Sequence, residues 1–180
     1  ATGRVGATYE SIATRHFHHG RTEAMRVVTP EIVAFTAAMD DPSVPAPVRR
    51  DALRAAADAH VRRARECRAG QAPEQHLWEL QMIATRRGEA SPALFGSPGW
   101  RILRDDHLST SSVPSPHVRY WGFGSTSTHC IGVGYALMPT RFDLYLSTPR
   151  SVAAAMEAFA RELPVAVAEM EALLGEDSDG

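Results

Sequence analysis

Four hydroxyl residues stand in a row, Ser109, Thr110, Ser111 and Ser112, inside "HLSTSSVPSP" at 107–116. The pattern turns toward strand at this point, so inward positions go to hydroxyls instead of Val or Ile. Ser109 and Ser111 then share one strand face. Short neutral donors held on a rigid element can stabilise a developing oxyanion, where losing one donor costs about 10²–10³ in rate. The plainer alternative is an edge strand with Ser and Thr facing water. Nucleophilic catalysis fits less well, because the chain has no G-x-S-x-G elbow and no dedicated base beside these hydroxyls.

Other reactive residue types give weaker patterns. "RHFHH" at 15–19 groups His16, His18 and His19, with no carboxylate or Cys at a recognisable ligand spacing. Strand alternation would put His16 and His18 on one face and His19 on the other, so a half-exposed polar strand is expected, not a metal site. Cys67 and Cys130 lack a CxxC partner and read as small buried hydrophobes. All 19 basic residues are Arg, which excludes a Lys base or Schiff base on this chain.

The elements that must position these groups follow from the pattern. Residues 1–28 read as extended and irregular. Thr29 offers an N-cap, Pro30 suits the first helical position and Glu31 the positive helix end, so a short helix should run to about Met39. A long Ala/Arg helix follows from Pro47, with Leu53, Ala57, Val61, Ala64 and Cys67 as its apolar stripe and Gly70 as its stop. A third helix over about 73–87 should bury Leu77, Leu80 and Ile83 or Ala84. Segments 108–113, 117–123, 131–138 and 141–147 predict strands, the last two a hairpin across "MPTR". Val152, Met156, Phe159 and Leu163 mark a helix kinked or ended at Pro164, continued by Val167, Met170 and Leu174. The fold class is α+β, helices packed on a small mixed sheet. One domain over 1–175 and an acidic tail at 176–180 account for the chain.

Bulk properties exclude several classes. With 180 residues the chain has the length of one domain. A formal charge of −2 argues against a nucleic-acid footprint. No apolar run approaches the roughly 18 residues of a membrane span. The opening "ATGRVGATYES" shows no secretory h-region, and two Cys are too few for a disulfide framework, so a reduced cytoplasmic setting is expected.

"TYES" at 8–11, "HGRTE" at 19–23, "AMDD" at 38–41, "HL" at 76–77, "LSTS" at 108–111, "GFG" at 122–124 and "GVGY" at 132–135 occur in this order. Together they resemble the carnitine/choline O-acyltransferases, specifically their C-terminal portion, a partial domain of the chloramphenicol-acetyltransferase-like, CoA-dependent kind. The resemblance implies acyl transfer from acyl-CoA, a co-substrate and not a bound cofactor, to the hydroxyl of carnitine or choline. It implies Ser111 as the oxyanion donor, with Ser109 bordering the acceptor. Tyr9, Ser11 and Thr22 match the acceptor carboxylate pocket, and Phe123 the aromatic beside the quaternary ammonium.

Departures from the family pattern qualify these roles. Gln75 stands where carnitine enzymes carry an Arg for the acceptor carboxylate, which favours a neutral acceptor such as choline. Thr22, by contrast, is the carnitine-type residue. On the CoA side Val61 replaces an Arg, and Ser112, the matching CoA contact, replaces a Gln. The family's catalytic His has an acidic residue four positions later. Only His19, with Glu23, has that offset here, and it belongs to the acceptor motif. The resemblance therefore implies a base in an N-terminal acyltransferase half, on the same or a separate chain. A non-catalytic remnant that keeps the cation pocket is the alternative reading.

Overall fold

The computed structural model describes residues 5–175. The 176–180 acidic tail lies outside the described residues. Five strands form one mixed sheet: β1 (Ala7–Ala13), β2 (Thr22–Arg26), β3 (Asp106–Ser112), β4 (Ile131–Leu137) and β5 (Phe142–Ser147). Their spatial order is β2-β1-β3-β4-β5. The β1/β3 and β3/β4 pairs are parallel, and the two outer pairs are antiparallel hairpins.

Residues 5–28 are more regular than their weak alternation suggests. β1 and β2 pair across a tight turn in which the Phe17 amide bonds the Thr14 carbonyl and the Gly20 amide bonds the Phe17 carbonyl. Glycine is required at Gly20, where an added Cβ would lie 1.9 Å from the Thr14 oxygen. The histidines occupy this turn and not a strand, so His16, His18 and His19 are not sorted onto two faces.

Helix α1 (Pro30–Asp40) begins as its residues dictate, with the Thr29 hydroxyl accepting the Ile32 amide at 3.3 Å. Helix α2 (Ala46–Arg68) buries Ala56, Ala59 and Cys67, while Ala57 and Val61 are exposed. The buried line is thus rotated from the expected one, because α2 turns its small Ala face to its neighbours α1, β1 and β2. Helix α3 (Glu74–Arg86) buries only Glu74 fully, and Leu80 and Ile83 are exposed. Packing around its N-terminal charge places this helix, and its apolar stripe does not.

The short α4 (Pro98–Leu103) follows a 3-10 turn at Ala93–Gly96, as the Pro/Gly punctuation predicts. Residues 117–123 do not form the expected strand. Both hydrogen-bonding edges of β4 are already taken by β3 and β5, so this segment crosses the sheet's face instead. Helix α5 (Ala153–Gly175) runs through Pro164 and does not end there. Its stripe is right as far as Met170, after which Leu173, not Leu174, is buried.

One charged cluster ties these pieces together. Arg26 on β2 donates Nε and Nη2 to the Glu74 carboxylate, both at 2.5 Å, and Nη1 to Asp106 at the start of β3. Arg104, stacked between Trp78 and Trp100, approaches the same Glu74 at 3.6 Å. The side chains of Arg26 and Glu74 are only 17% and 8% exposed. Removing one partner would strand a buried charge. Glu74→Ala is therefore expected to cost about 3 kcal/mol, read as a lower urea midpoint; an unchanged midpoint would contradict this account.

Candidate functional site

Strand register assembles the site. Arg26, Tyr9, Ser109, Gly132 and Ser147 are partners in one row across all five strands. The next row runs Ala24, Ser11, Ser111, Gly134, Tyr145, with the Ser11 and Ser111 hydroxyls bonded at 3.1 Å. Alternation keeps both rows on one face. Ser109 is almost fully buried, so the water-facing edge-strand alternative fails for this row. Thr22 pairs with Ala13, one row further along the same face, and is exposed.

Two glycines on β4 make room for the segment that crosses this face. A Cβ at Gly132 would lie 3.2 Å from Phe123 Cε2, and one at Gly134 would lie 3.0 Å from the Trp121 carbonyl oxygen. Phe123 therefore reaches the row that holds Ser109. Trp121 stacks against Phe123 with centroids 5.5 Å apart, and its indole donates to the Tyr135 carbonyl at 3.0 Å. Gln75 sits in the first turn of α3, its backbone amide donating to Glu23 Oε1 at 3.3 Å. That contact places it beside β2, at the edge of the sheet.

The opposite face is also polar, which spacing alone did not disclose. Thr110 donates to Glu10 Oε2 at 2.8 Å, and the Tyr135 phenol donates to Glu10 Oε1. Ser112 pairs with Tyr135 on this side, away from Ser109 and Ser111. Burial, followed by the bond to the Glu10 carboxylate, pushes the Tyr135 phenol up to about 12. On the serine face, burial raises the Tyr9 phenol against the opposing pull of Arg26. The period-2 alternation of "TYES" and "GVGY" could have flagged Glu10 and Tyr135 as facing away from the serines. Nothing in their spacing could have paired them.

A family model described as Choline/Carnitine o-acyltransferase matches residues 1–164. The chain belongs to that family. Carnitine O-acetyltransferase of Rattus norvegicus is 33% identical over 173 residues, covering 96% of this chain and 28% of its own length. Carnitine O-acetyltransferase of Homo sapiens is 34% identical with the same coverage. Peroxisomal carnitine O-octanoyltransferase of Homo sapiens is 41% identical over 96 residues, 53% of this chain and 16% of its own length. The chain thus spans 28% of the length of these two acetyltransferases. Within the choline/carnitine acyltransferase chain, Tyr9, Ser11, Ser109, Ser111 and Phe123 gather on one face. Thr22 lies at its margin, Gln75 at the edge of the sheet, and Ser112 on the other side.

Tyr135 gives a pH signature. Its folded pKa lies above the ordinary 10, so its stabilising contribution is complete below pH 10 and is lost as pH rises through about 12. Burial raises the Tyr9 phenol as well, so Tyr9 contributes a share of the same fall. Tyr135→Phe should flatten the fall in stability between those limits, measured by urea unfolding across the range. An identical slope in the variant would refute the assignment.

Proposed function

We propose that this chain supplies the oxyanion donor and acceptor pocket of an acyltransferase. The enzyme moves an acyl group from acyl-CoA to the hydroxyl of a quaternary-ammonium alcohol of the carnitine or choline kind. The observation that carries the reading is the Ser11–Ser111 hydroxyl pair at 3.1 Å, on the face that also holds buried Ser109. If Ser11 donates to Ser111, the Ser111 proton is free to point at the thioester oxygen as the carbonyl becomes tetrahedral. Phe123, over Gly132, offers a π-face to the acceptor cation, and Tyr9, Ser11 and Thr22 line the same face. Ser112 lies on the opposite face and so stands apart from the serine row.

In this reading a histidine outside the chain takes the acceptor's proton, and the alkoxide attacks the thioester carbonyl. Collapse of the oxyanion then expels the CoA thiolate. Among the described residues no histidine bonds to Ser111, whose hydroxyl partner is Ser11. A second reading is binding of the quaternary ammonium without transfer.

Release of CoA thiol from acetyl-CoA in the presence of carnitine or choline, assayed on the protein at its native length, separates the two. Transfer that falls about 10²–10³-fold in Ser111→Ala supports the first. Calorimetric affinity for the acceptor with no thiol release under any acyl-CoA supports the second. Gln75→Arg restores a charge-assisted carboxylate partner and is expected to lower KM for carnitine without doing so for choline. Unchanged or poorer carnitine use would refute the role given to Gln75.

A further inference from the structure

Phe123 lies in an irregular segment with no strand ladder to hold it, yet its ring has one defined place. We infer that Ser147 on β5 is the positioning residue that fixes this place, aiming the Phe123 ring at the acceptor's quaternary ammonium. The inference rests on the acyl-acceptor reading above. The Ser147 hydroxyl donates to the Phe123 carbonyl at 2.6 Å, so the backbone of the crossing segment is tied to β5. Ser147 is the register partner of Gly132, which is in turn the partner of Ser109. A Cβ at Gly132 would lie 2.6 Å from Ser147 Oγ and 3.2 Å from Phe123 Cε2, so hydroxyl and ring both use the space that glycine leaves.

With its carbonyl held at Ser147, Phe123 turns its ring back over Gly132 toward Ser109. A second tie, from the Trp121 indole to the Tyr135 carbonyl at 3.0 Å, holds the segment two residues earlier. Trp121 also stacks against the ring at an interplanar angle of 29°. A cation–π contact weakens once the cation lies beyond about 6 Å from the ring centroid, so aim matters. Loss of the Ser147 hydroxyl would free the segment and leave the Phe123 carbonyl unpaired.

The test compares choline, which carries the headgroup common to both acceptors, with its uncharged isostere 3,3-dimethylbutan-1-ol. Affinities are measured by calorimetry on the protein at its native length. Ser147→Ala should weaken choline about 3- to 10-fold and leave the isostere within about twofold. Ser147→Thr should restore choline. In a Phe123→Leu background Ser147→Ala should cost choline nothing further, since the π-face it aims is gone. Should Ser147→Ala fold poorly, Gly132→Ala, which crowds both groups, must show the same selective loss. Equal losses for both alcohols, or additive losses in the double variant, would overturn the inference. Choline affinity untouched by Ser147→Ala sinks the positioning role alone. No choline affinity in the unsubstituted protein sinks the acceptor reading together with it.

Discussion

Arg26 is the junction on which the arrangement depends. Its guanidinium bonds Glu74 of α3 and Asp106 of β3, and it lies 5.8 Å from the centroid of the Tyr9 ring on β1. Three strands and a helix thus meet at one planar cation. Bidentate pairing fixes orientation as well as distance, which a Lys ammonium could not do. Burial makes the charge costly in isolation, so the cluster holds only when all its members are in register. Because Tyr9 is also the register partner of Ser109, the same charge cluster sets where the buried hydroxyl row begins.

From that row the sheet divides its labour by parity. Odd positions of β1 and β3 give Tyr9, Ser11, Ser109 and Ser111, and even positions give Glu10, Thr110 and Ser112. The two polar sets are separated only by the backbone of the strands. Glycines at 132 and 134 extend the first face across β4 without side chains, which lets an aromatic segment lie flat against it. On the second face the Glu10 carboxylate spans β1, β3 and β4 through Thr110 and Tyr135. Register is therefore held from both sides, and a one-residue slip would exchange every group between them.

Local signals in the chain were legible, and distant partnerships were not. Thr29 and Pro30 start α1 because capping needs only neighbours, and the hairpin across "MPTR" needs only its turn. The Ser109/Ser111 face follows from alternation, and the family motifs predict which side chains gather there. By contrast, Arg26 finds Glu74 48 positions away, and Tyr135 finds Glu10 125 positions away. Ser147 is an ordinary strand serine until the fold places it under Phe123. The expected strand at 117–123 failed for a related reason. Its Val, Tyr, Trp and Phe content satisfies strand preference, but both edges of β4, which it crosses, are already paired, and the same aromatics pack on a glycine-lined face. The α2 stripe was misjudged because an Ala-rich helix offers several similar buried lines, and only the neighbours choose among them.

The two sheet edges are treated differently. On β2 the Glu23 carboxylate folds back to accept its neighbour's amide, Ala24, at 2.8 Å, and also caps the start of α3 through the Gln75 amide. That outward donor is unavailable to another strand, and α3 covers the edge. Among the described residues the β5 edge pairs with no further strand, and α5 packs against β5. Asp143 and its ion-pair partner Arg141 supply charge there, but Phe142, Leu144 and Tyr145 are exposed around them. Tyr120 and Leu137, at 75% and 74% exposure, extend this apolar character. Apolar surface of that extent is costly to leave in water. The segment bearing Phe123 is tied down on this β5 side, at the opposite end of the sheet from the Arg26 cluster.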